Sequence, residues 1–419
     1  MSSLRLYLPP ALHHRNFTLL WAGLLISVAG SQMQFAALLW HLRELSDQPA
    51  VVSGIGLARF LPVLLFAPFG GVIADSLNRR KVMLVTQTTA LLVAVVLGLV
   101  TWLGIAKLWH LYLLTAIQMT AVSFDLPARQ ALTPNLVSRD ALPSAFSLMS
   151  IAFSTGAIIG PAVGGMVIAG AGLAYTYWIN AITYLAVIVA LLAMGEVPQQ
   201  RQPAVHGARQ ALASIRDGAR FILNQPIILS SMVLDFLATF FSSANTLLPF
   251  VARDVLNVGG RAYGWLVSGQ SLGAVVVGVF LSQRTHVRRQ GLVLLVSVAI
   301  FGVATIGFGL ARSFWWVLAA LVVIGASDGV STILRNTIRQ LNTPDEMRGR
   351  MVAINQVFFM GGPQLGEIEA GLVAQAFGTS TAIITGGIGC ILGVGLVAAL
   401  WAPLRRYGGG EETGAGIPG

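Results

Sequence analysis

Runs of about 20 mostly apolar residues recur along this chain, and they limit the folds open to it more than any other feature. A run of about 20 apolar residues is the length at which an α-helix crosses the hydrocarbon core of a bilayer. Only 10% of the 419 residues are charged, whereas a soluble protein carries about a quarter. The runs at 84–100 and 383–399 do not alternate between apolar and polar residues, as the strands of a membrane barrel would. The sequence therefore predicts an all-α membrane protein.

Glycine, proline and charged residues divide the apolar sequence into twelve predicted transmembrane helices. These lie at 17–41, 51–74, 82–106, 109–132, 141–170, 173–195, 226–252, 262–283, 291–311, 314–338, 348–377 and 380–402. The predicted domains are two six-helix bundles at 1–195 and 226–403, joined by a cytoplasmic linker at 196–225 and followed by a flexible tail at 404–419.

The linker contains an amphipathic stretch at 208–223. Its apolar residues recur at helical spacing, while Arg209, Arg216 and Arg220 lie elsewhere on the helix. The apolar face consists of Ala211, Leu212, Ile215, Ala219 and Ile222. We predict that this stretch is a helix lying along the membrane surface between the two bundles.

Lysine and arginine are distributed unequally between the two ends of the predicted helices. Twenty of the 26 fall on the side of the N-terminus, Arg335 and Arg339 among them, five fall on the opposite side, and Arg59 lies inside a helix. Because basic residues concentrate in cytoplasmic loops, we expect a multi-pass protein of the cell inner membrane with both termini in the cytoplasm. The net charge of +10 is then explained by anionic lipid headgroups, and we expect no nucleic-acid partner.

A short pattern occurs twice, at equivalent places in the two halves. Arg129-Gln130-x-x-Thr133-Pro134 follows the fourth predicted helix, and Arg339-Gln340-x-x-Thr343-Pro344 follows the tenth, 210 residues later. Six-helix repeats of the same orientation are related by an axis along the membrane normal, with the transport path between them. The repeat therefore predicts two pseudo-symmetric bundles.

The loop after the second predicted helix contains a motif of glycine, acidic and basic residues: Gly71, Asp75, Asn78, Arg79 and Arg80. It resembles the signature loop of the major facilitator superfamily, with Ser76 in place of the first basic residue. Asn78 replaces the second glycine of that motif, and we expect it to adopt the left-handed turn. The resemblance covers nearly the whole chain and implies a transporter with a latch that closes the cytoplasmic side.

The fifth predicted helix contains a second motif, made of Gly156, Gly160, Pro161, Gly164 and Gly165. Glycines four residues apart permit close helix contact, and Pro161 removes a backbone donor. The string also resembles the antiporter motif of proton-coupled exporters in the same superfamily. The segments at 124–130, 343–350 and 364–371 are similar to the group that contains enterobactin exporters and macrolide-efflux proteins.

Six ionisable residues lie within predicted helices, where an unpaired charge costs about 3 kcal/mol or more. They are Arg59, Asp125, Asp235, Asp328, Glu367 and Glu369. Asp125 is one helical turn from Arg129, which favours a structural ion pair. Asp235 and Asp328 lie near the membrane midplane and are candidate sites for a proton or a cationic substrate.

Arg59 and the two glutamates lie at similar depths on the second and eleventh helices. The fold implied by the resemblance brings these helices face to face, so we predict an Arg59–Glu367 or Arg59–Glu369 pair that closes the outer side and opens when the glutamate is protonated. We also predict that Gly361-Gly362-Pro363 interrupts the eleventh helix, because interrupted helices commonly mark transport sites.

No GxxxxGK[ST] loop, HExxH pattern or paired Cys/His pattern is present, so we expect neither an enzyme nor a metal site. We expect no cofactor beyond an ion gradient, taken to be protons, and a monomer whose partners are a small-molecule substrate and membrane lipids. The function that these features favour is proton-coupled export, by alternating access, of amphipathic small molecules such as drugs, macrolides or siderophores. The alternatives are a nutrient importer or uniporter of the same fold, and a lipid flippase or non-transporting membrane receptor.

Overall fold

The computed structural model describes residues 9–195, 197, 208–283 and 287–409. All regular secondary structure in these ranges is helical, which confirms the predicted all-α class. The first residues, parts of the linker and the end of the predicted tail (410–419) lie outside the described residues.

Six long helices make up the first half of the described chain. They are α1 (Arg15–Leu45), α2 (Ile55–Ser76), α3 (Arg79–Trp102), α4 (Leu108–Leu132), α5 (Leu142–Gly170) and α6 (Leu173–Ala193). α1 packs against α5 and α6, and α3 packs against α4 and α6. Asn78 caps the start of α3, and Gly172 makes the turn between α5 and α6 with a φ of 98°, which only glycine adopts readily.

Six further long helices make up the second half. They are α7 (Pro226–Ser242), α8 (Gly260–Ser282), α9 (Gln290–Leu310), α10 (Phe314–Leu341), α11 (Asp345–Phe377) and α12 (Thr379–Leu400). Eleven helical stretches among the described residues are long and apolar enough to cross a membrane. The other long helix, α11, carries charged residues in its first turns and again at Glu367 and Glu369.

The packing divides the chain into two compact units. The first comprises Met1–Leu45 and Leu61–Val205, and the second comprises Ser46–Phe60 and His206–Gly419. The short helix Pro49–Ser53 therefore packs with the second unit, against α11. Glycine permits this approach, because a Cβ at Gly371 would lie 2.3 Å from the Cβ of Ser53. The limits of the predicted domains stay predictions.

The linker helix, Ala208–Leu223, packs on the second unit. Ile222 is buried in a cluster with Ile228, Met232 and Met351, and Asp217 lies 3.4 Å from the guanidinium of Arg350. Of the apolar face predicted for the membrane surface, Ile222 contacts protein instead. The side chains at 208–215 lie outside the described residues.

The start of the predicted flexible tail is ordered. A short helix, Ala402–Arg406, buries Leu404, and the hydroxyl of Tyr407 accepts a hydrogen bond of 2.9 Å from Asn342. The backbone N–H of Gly291 donates to the carbonyl of Tyr407 over 3.1 Å. Residues 404–407 of the predicted tail therefore make contacts that composition does not reveal.

The sequence repeat is also a structural repeat at the ends of α4 and α10. Thr133 donates its hydroxyl hydrogen bond to the carbonyl of Arg129 over 2.9 Å, and Thr343 donates to the carbonyl of Arg339 over 2.6 Å. Each threonine thus satisfies a carbonyl in the last turn of its helix in the same way.

Candidate functional site

A buried cluster of charges joins α7 to α10 in the second unit. Asp235 on α7 is 1% exposed, and Arg335 and Arg339 on α10 are each 2% exposed. The Oδ1 atom of Asp235 lies 2.6 Å from Nη1 of Arg335, and Oδ2 lies 3.2 Å from Nη2 of Arg339. One carboxylate thus bridges two guanidinium groups, an arrangement that persists inside a protein only when the charges are paired.

Neighbouring polar groups complete this cluster. Arg339 donates to the hydroxyl of Ser231 over 3.1 Å, to the carbonyl of Ser231 over 3.0 Å and to the side chain of Asn355 on α11. Arg335 donates to the hydroxyl of Thr332 over 2.8 Å and lies 3.5 Å from Asp328, whose side chain is 47% exposed. Two acids and two arginines make the cluster neutral.

The arginines of this cluster were missed by sequence reasoning, which counted both on the cytoplasmic surface. The structure places Arg335 and Arg339 within α10, one turn apart and turned inward. A signal was present, because a midplane acid such as Asp235 needs a cationic partner. Removing the two from the count leaves 18 basic residues on the side of the N-terminus and five on the other. The excess of basic residues on which the predicted orientation rests therefore remains.

A second buried carboxylate lies on α11. Glu367 is 2% exposed, accepts a hydrogen bond from the side-chain amide of Asn245 and interacts electrostatically with Arg59 of α2. Its Oε2 atom has no hydrogen-bond partner within the described part of the chain. Nearby, the hydroxyls of Ser53 and Thr246 are 2.8 Å apart. A buried carboxylate with one open oxygen is costly to keep charged, because desolvated charge needs partners.

Glu369 differs from Glu367 although both were candidates for the Arg59 pair. Residues two apart on a helix point about 200° away from each other. Glu367 accordingly points into the protein and interacts with Arg59, while Glu369 is half-buried. Arg59 and Glu367 both belong to the second unit. The role of this pair as an outer gate stays a prediction.

The helix break beside Glu367 occurs in the seventh span rather than the eleventh. α7 ends at Ser242, two non-helical residues follow, and a 3₁₀ turn resumes at Asn245. The predicted interruption at Gly361-Gly362-Pro363 is wrong, because α11 is continuous from Asp345 to Phe377 with Pro363 in its interior. Nearby glycine serves packing, since a Cβ at Gly366 would lie 2.1 Å from the carbonyl oxygen of Phe240 on α7.

Asp125 of the first unit has structural partners. Its Oδ2 atom lies 4.0 Å from Nε of Arg129, as the one-turn spacing predicts. Its Oδ1 atom accepts hydrogen bonds of 2.9 Å from both Thr86 and Gln87 on α3. The guanidinium of Arg129 also lies 5.0 Å from the ring centroid of Phe153. The acid is thereby held between α3 and α4.

The motif between α2 and α3 acts locally as a set of helix caps. Gly71 and Asp75 lie in α2, and the side chain of Asp75 lies outside the described residues. Asn78 has an extended backbone with φ −67° and accepts hydrogen bonds from the N–H groups of Arg80 and Lys81, so the left-handed turn predicted there is wrong. The reason is that an N-cap needs extended backbone. The latch stays a prediction.

The two arginines of this motif donate to the carbonyl ends of neighbouring helices. Arg79 donates to the carbonyl of Ala131 over 3.3 Å, near the end of α4. Arg80 donates to the carbonyls of Leu192 and Gly195 over 3.1 and 3.4 Å, at the end of α6. Cations at helix C-termini satisfy free carbonyls and oppose the negative end of the helix dipole.

The glycine motif of α5 is the contact surface for α1. Gly156, Gly160, Pro161, Gly164 and Gly165 are all buried. Cβ atoms at Gly156, Gly160 and Gly164 would lie 2.7, 2.4 and 3.0 Å from the nearest atoms of α1. α5 remains a continuous helix through Pro161. The motif therefore lets two helix backbones approach closely, and its link to export stays a prediction.

A chain of uncharged hydrogen bonds lies on the other side of α1. Asn180 donates to Gln34 over 2.7 Å, Gln34 donates to Gln118 over 2.9 Å, and Gln118 donates to the hydroxyl of Tyr184 over 2.8 Å. Ser31 lies 3.0 Å from the same hydroxyl. The chain joins α1, α4 and α6. Sequence reasoning missed it because a search for ionisable residues passes over amides and hydroxyls.

No group of three or more His, Cys, Asp or Glu side chains that could hold a metal ion occurs in the described ranges. Two buried carboxylates of the second unit, Asp235 and Glu367, each interact with arginine.

Comparison with known proteins places these features in a family context. A model of the family described as transmembrane secretion effectors matches residues 8–409. The enterobactin exporters EntS of Shigella boydii serotype 18 and of Citrobacter koseri are each 30% identical to the chain over 339 residues, covering 81% of this chain and 80% of each relative.

Solved structures of transporters share the fold. A bacterial homologue of the human lysosomal transporter Spinster, inward-facing and occupied, has a TM-score of 0.71 at 14% identity and covers 95% of this chain and 99% of its own. The nucleoside transporter NupG has a TM-score of 0.69 at 14% identity, with coverage of 94% and 99%. A POT family transporter in complex with a thioalcohol-conjugated peptide has a TM-score of 0.71 at 11% identity, with coverage of 92% and 96%. The predicted twelve-helix membrane fold is confirmed.

Proposed function

The chain belongs to the transmembrane secretion effectors of the major facilitator superfamily and is a multi-pass membrane transporter, and from this premise we propose that it is a proton-coupled exporter of amphipathic small molecules. It works by alternating access of its two six-helix units. Siderophores are the first substrate class to test, because relatives that are 30% identical over 81% of the chain are named as enterobactin exporters. The glycine motif of α5 supports export through its resemblance to the antiporter motif.

The observation that carries proton coupling is the open oxygen of Glu367. Oε2 has no hydrogen-bond partner among the described residues, so a proton adds there without breaking the bond from Asn245. Protonation removes the carboxylate charge that interacts with Arg59, and losing one charge of an interior pair is destabilising. The surrounding helices then rearrange to give the arginine another environment.

The position of Glu367 beside the α7 break suits such a rearrangement. Two non-helical residues separate α7 from the turn that holds Asn245. A break in a membrane helix lets the two segments move separately, because no continuous ladder of backbone hydrogen bonds joins them. Proton binding at Glu367 is thereby linked to the movement of one segment.

Asp235 suits a different role. Both of its oxygens contact guanidinium groups, at 2.6 and 3.2 Å. Adding a proton there would displace a cation from a neutral, buried cluster. We therefore assign Asp235 to holding α7 against α10, and assign the half-exposed Asp328 to contact with a polar group of the substrate.

An ion gradient supplies the free energy, with no bound cofactor. Each pH unit across the membrane supplies about 1.4 kcal/mol per proton. One proton exchanged for one neutral substrate molecule therefore accumulates the substrate about tenfold per pH unit.

Efflux from proteoliposomes tests the function. The purified protein is reconstituted, a pH gradient is imposed, and the movement of siderophores, macrolides and cationic dyes is measured. We expect gradient-driven transport of at least one of these classes toward the compartment that corresponds to the cell exterior. Transport of a nutrient toward the opposite compartment, or flipping of a headgroup-labelled lipid, would replace the proposal with an importer or a flippase.

Glu367→Gln tests the coupling. The carboxamide keeps an oxygen for the bond from Asn245 and imitates the protonated acid. We expect gradient-driven efflux to fall to the level seen without a gradient, while exchange of labelled for unlabelled substrate at equal pH continues.

Glu369→Gln is the matched control, since it makes the same change two residues along the same helix at a half-buried position. If Glu367→Gln and Arg59→Ala both retain the gradient-driven efflux of Glu369→Gln, the coupling proposal is wrong, whatever the substrate.

A further inference from the structure

An apolar groove of about 540 Å³ runs between α9 and α10 of the second unit. Its lining recurs at helical spacing on both helices: Ile300, Val303, Ala304, Gly307, Leu310 and Ala311 on one side, and Trp316, Ala319, Ala320 and Val323 on the other. Alanine and glycine make up half of these positions and deepen the groove. Its volume falls within the range of about 300–1,000 Å³ typical of ligand pockets.

One end of the groove carries a cation. Arg312, in the turn between α9 and α10, lines the groove and is exposed. Its Nη1 atom donates to the carbonyls of Gly309 and Ala311, each over 3.1 Å, which holds the guanidinium at the end of α9. Nε and Nη2 donate to no residue of the described ranges, so two nitrogen atoms are available to an anion.

The groove matches one leaflet of a bilayer in length. Ile300 and Ala311 are eleven residues apart, which is about 16 Å along a helix. Half of a bilayer's hydrocarbon core is about 15 Å. Trp315 and Trp316, 73% and 72% exposed, lie beside Arg312 at the end where the headgroups of that leaflet would begin. Tryptophan concentrates at this level of a membrane.

We propose that this groove binds one anionic phospholipid, with an acyl chain along the groove and the phosphate at Arg312. The cation selects an anionic headgroup, and the apolar walls accept the chain from the surrounding leaflet. The site lies within the second unit, apart from the buried carboxylates, and does not depend on the transported substrate.

Native mass spectrometry of the purified protein tests the proposal. The delipidated protein is titrated with phosphatidylglycerol or phosphatidylcholine of identical acyl chains, and bound lipid is counted. We expect one phosphatidylglycerol to bind the unchanged protein more tightly than phosphatidylcholine does, and Arg312→Gln to weaken it about fivefold, the effect of one basic residue at an anionic surface. Arg261→Gln is the matched control, because Arg261 is exposed and lies outside the groove.

A second variant tests the groove itself. Gly307→Leu adds a side chain within the groove, and its Cβ meets nothing within 4 Å. The Cβ of Gly278→Leu on α8, outside the groove, likewise meets nothing within 4 Å. We expect Gly307→Leu to abolish the tightly bound phosphatidylglycerol and Gly278→Leu to retain it. The proposal is overturned if the two lipids bind equally well, or if the control variants lose as much phosphatidylglycerol binding as the groove variants do. It is also overturned if the transported compound or a second copy of the chain occupies the groove.

Discussion

Gly160 makes the closest approach between the glycine motif of α5 and α1, and its substitution by alanine tests what that motif does. A Cβ at this position would lie 2.4 Å from the carbonyl oxygen of Ala29 and 2.8 Å from the Cβ of Gln32. Ordinary contact begins at 3.4 Å, so the carbonyl must retreat by 1.0 Å (3.4 minus 2.4). Backbone cannot turn aside as a flexible side chain can, and α1 must move as a body.

The energetic cost follows from this displacement. Where α1 and α5 move apart by about 0.5–1 Å, each packing contact between them loses a quarter to a half of its van der Waals attraction. Overpacking of a well-packed core typically costs about 1–3 kcal/mol. That energy corresponds to about 5- to 150-fold in an equilibrium constant. We expect Gly160→Ala to lower the temperature of unfolding in detergent.

Four alanine substitutions on the same helix form a graded series. The distances from the added Cβ to the nearest atom are 2.4 Å at Gly160, 2.7 Å at Gly156 and 3.0 Å at Gly164, while nothing lies within 4 Å at Gly170. Loss of thermal stability should follow this order, with Gly170→Ala close to the unchanged protein. The nearest atom at Gly164 belongs to the flexible side chain of Met33, which makes that variant milder still.

Efflux per folded molecule separates packing from transport. If the seam between α1 and α5 changes during export, efflux per folded molecule falls in the same order as stability, and this is the result we expect. If efflux per folded molecule is unchanged, the glycine motif serves helix packing and has no part in transport. Equal unfolding temperatures for Gly160→Ala and Gly170→Ala would refute the reasoning from distance.

Two further substitutions test the second unit. Asp235→Asn leaves two buried arginines without their shared carboxylate, which should cost about 3–5 kcal/mol; an unfolding temperature equal to that of the unchanged protein would contradict the ion-pair account. Gly371→Ala places a Cβ 2.3 Å from the Cβ of Ser53, and should lower both stability and gradient-driven efflux, whereas Gly395→Ala on α12 meets nothing within 4 Å and should change neither. Equal behaviour of these two glycine variants would remove the packing argument for the 46–60 segment.

The helices could be predicted because each depends on local sequence. Length and apolarity are properties of a single stretch of chain, and the predicted third helix at 82–106 corresponds to Arg79–Trp102 in the structure. The predicted start of a helix differs from the observed start where a capping residue determines it, as Asn78 does for α3. The break in the seventh span was missed because Ser243 and Ala244 carry none of the glycine or proline signals that usually mark one.

The candidate site could be predicted only on its acidic side. An acid such as Asp235 or Glu367 inside an apolar run is visible in sequence. Its partner is not, because an arginine near a helix end can extend to water or turn inward, and the choice depends on a carboxylate from another helix. Arg335 and Arg339 turn inward since Asp235 on α7 faces them.

The two halves of the chain use one repeated arginine in different ways. Arg129 pairs with Asp125 one turn away on the same helix, whereas Arg339, 210 residues later, pairs with Asp235 on a different helix. At the position that corresponds to Asp125, the second unit has Arg335 instead. An ion pair within one helix remains intact when neighbouring helices move, but a pair between α7 and α10 must break if they separate, leaving buried charge at a large cost. Charge and helix packing are therefore linked more closely in the second unit than in the first, which supports our placing proton coupling in the second unit, at Glu367, while Asp235 holds α7 against α10.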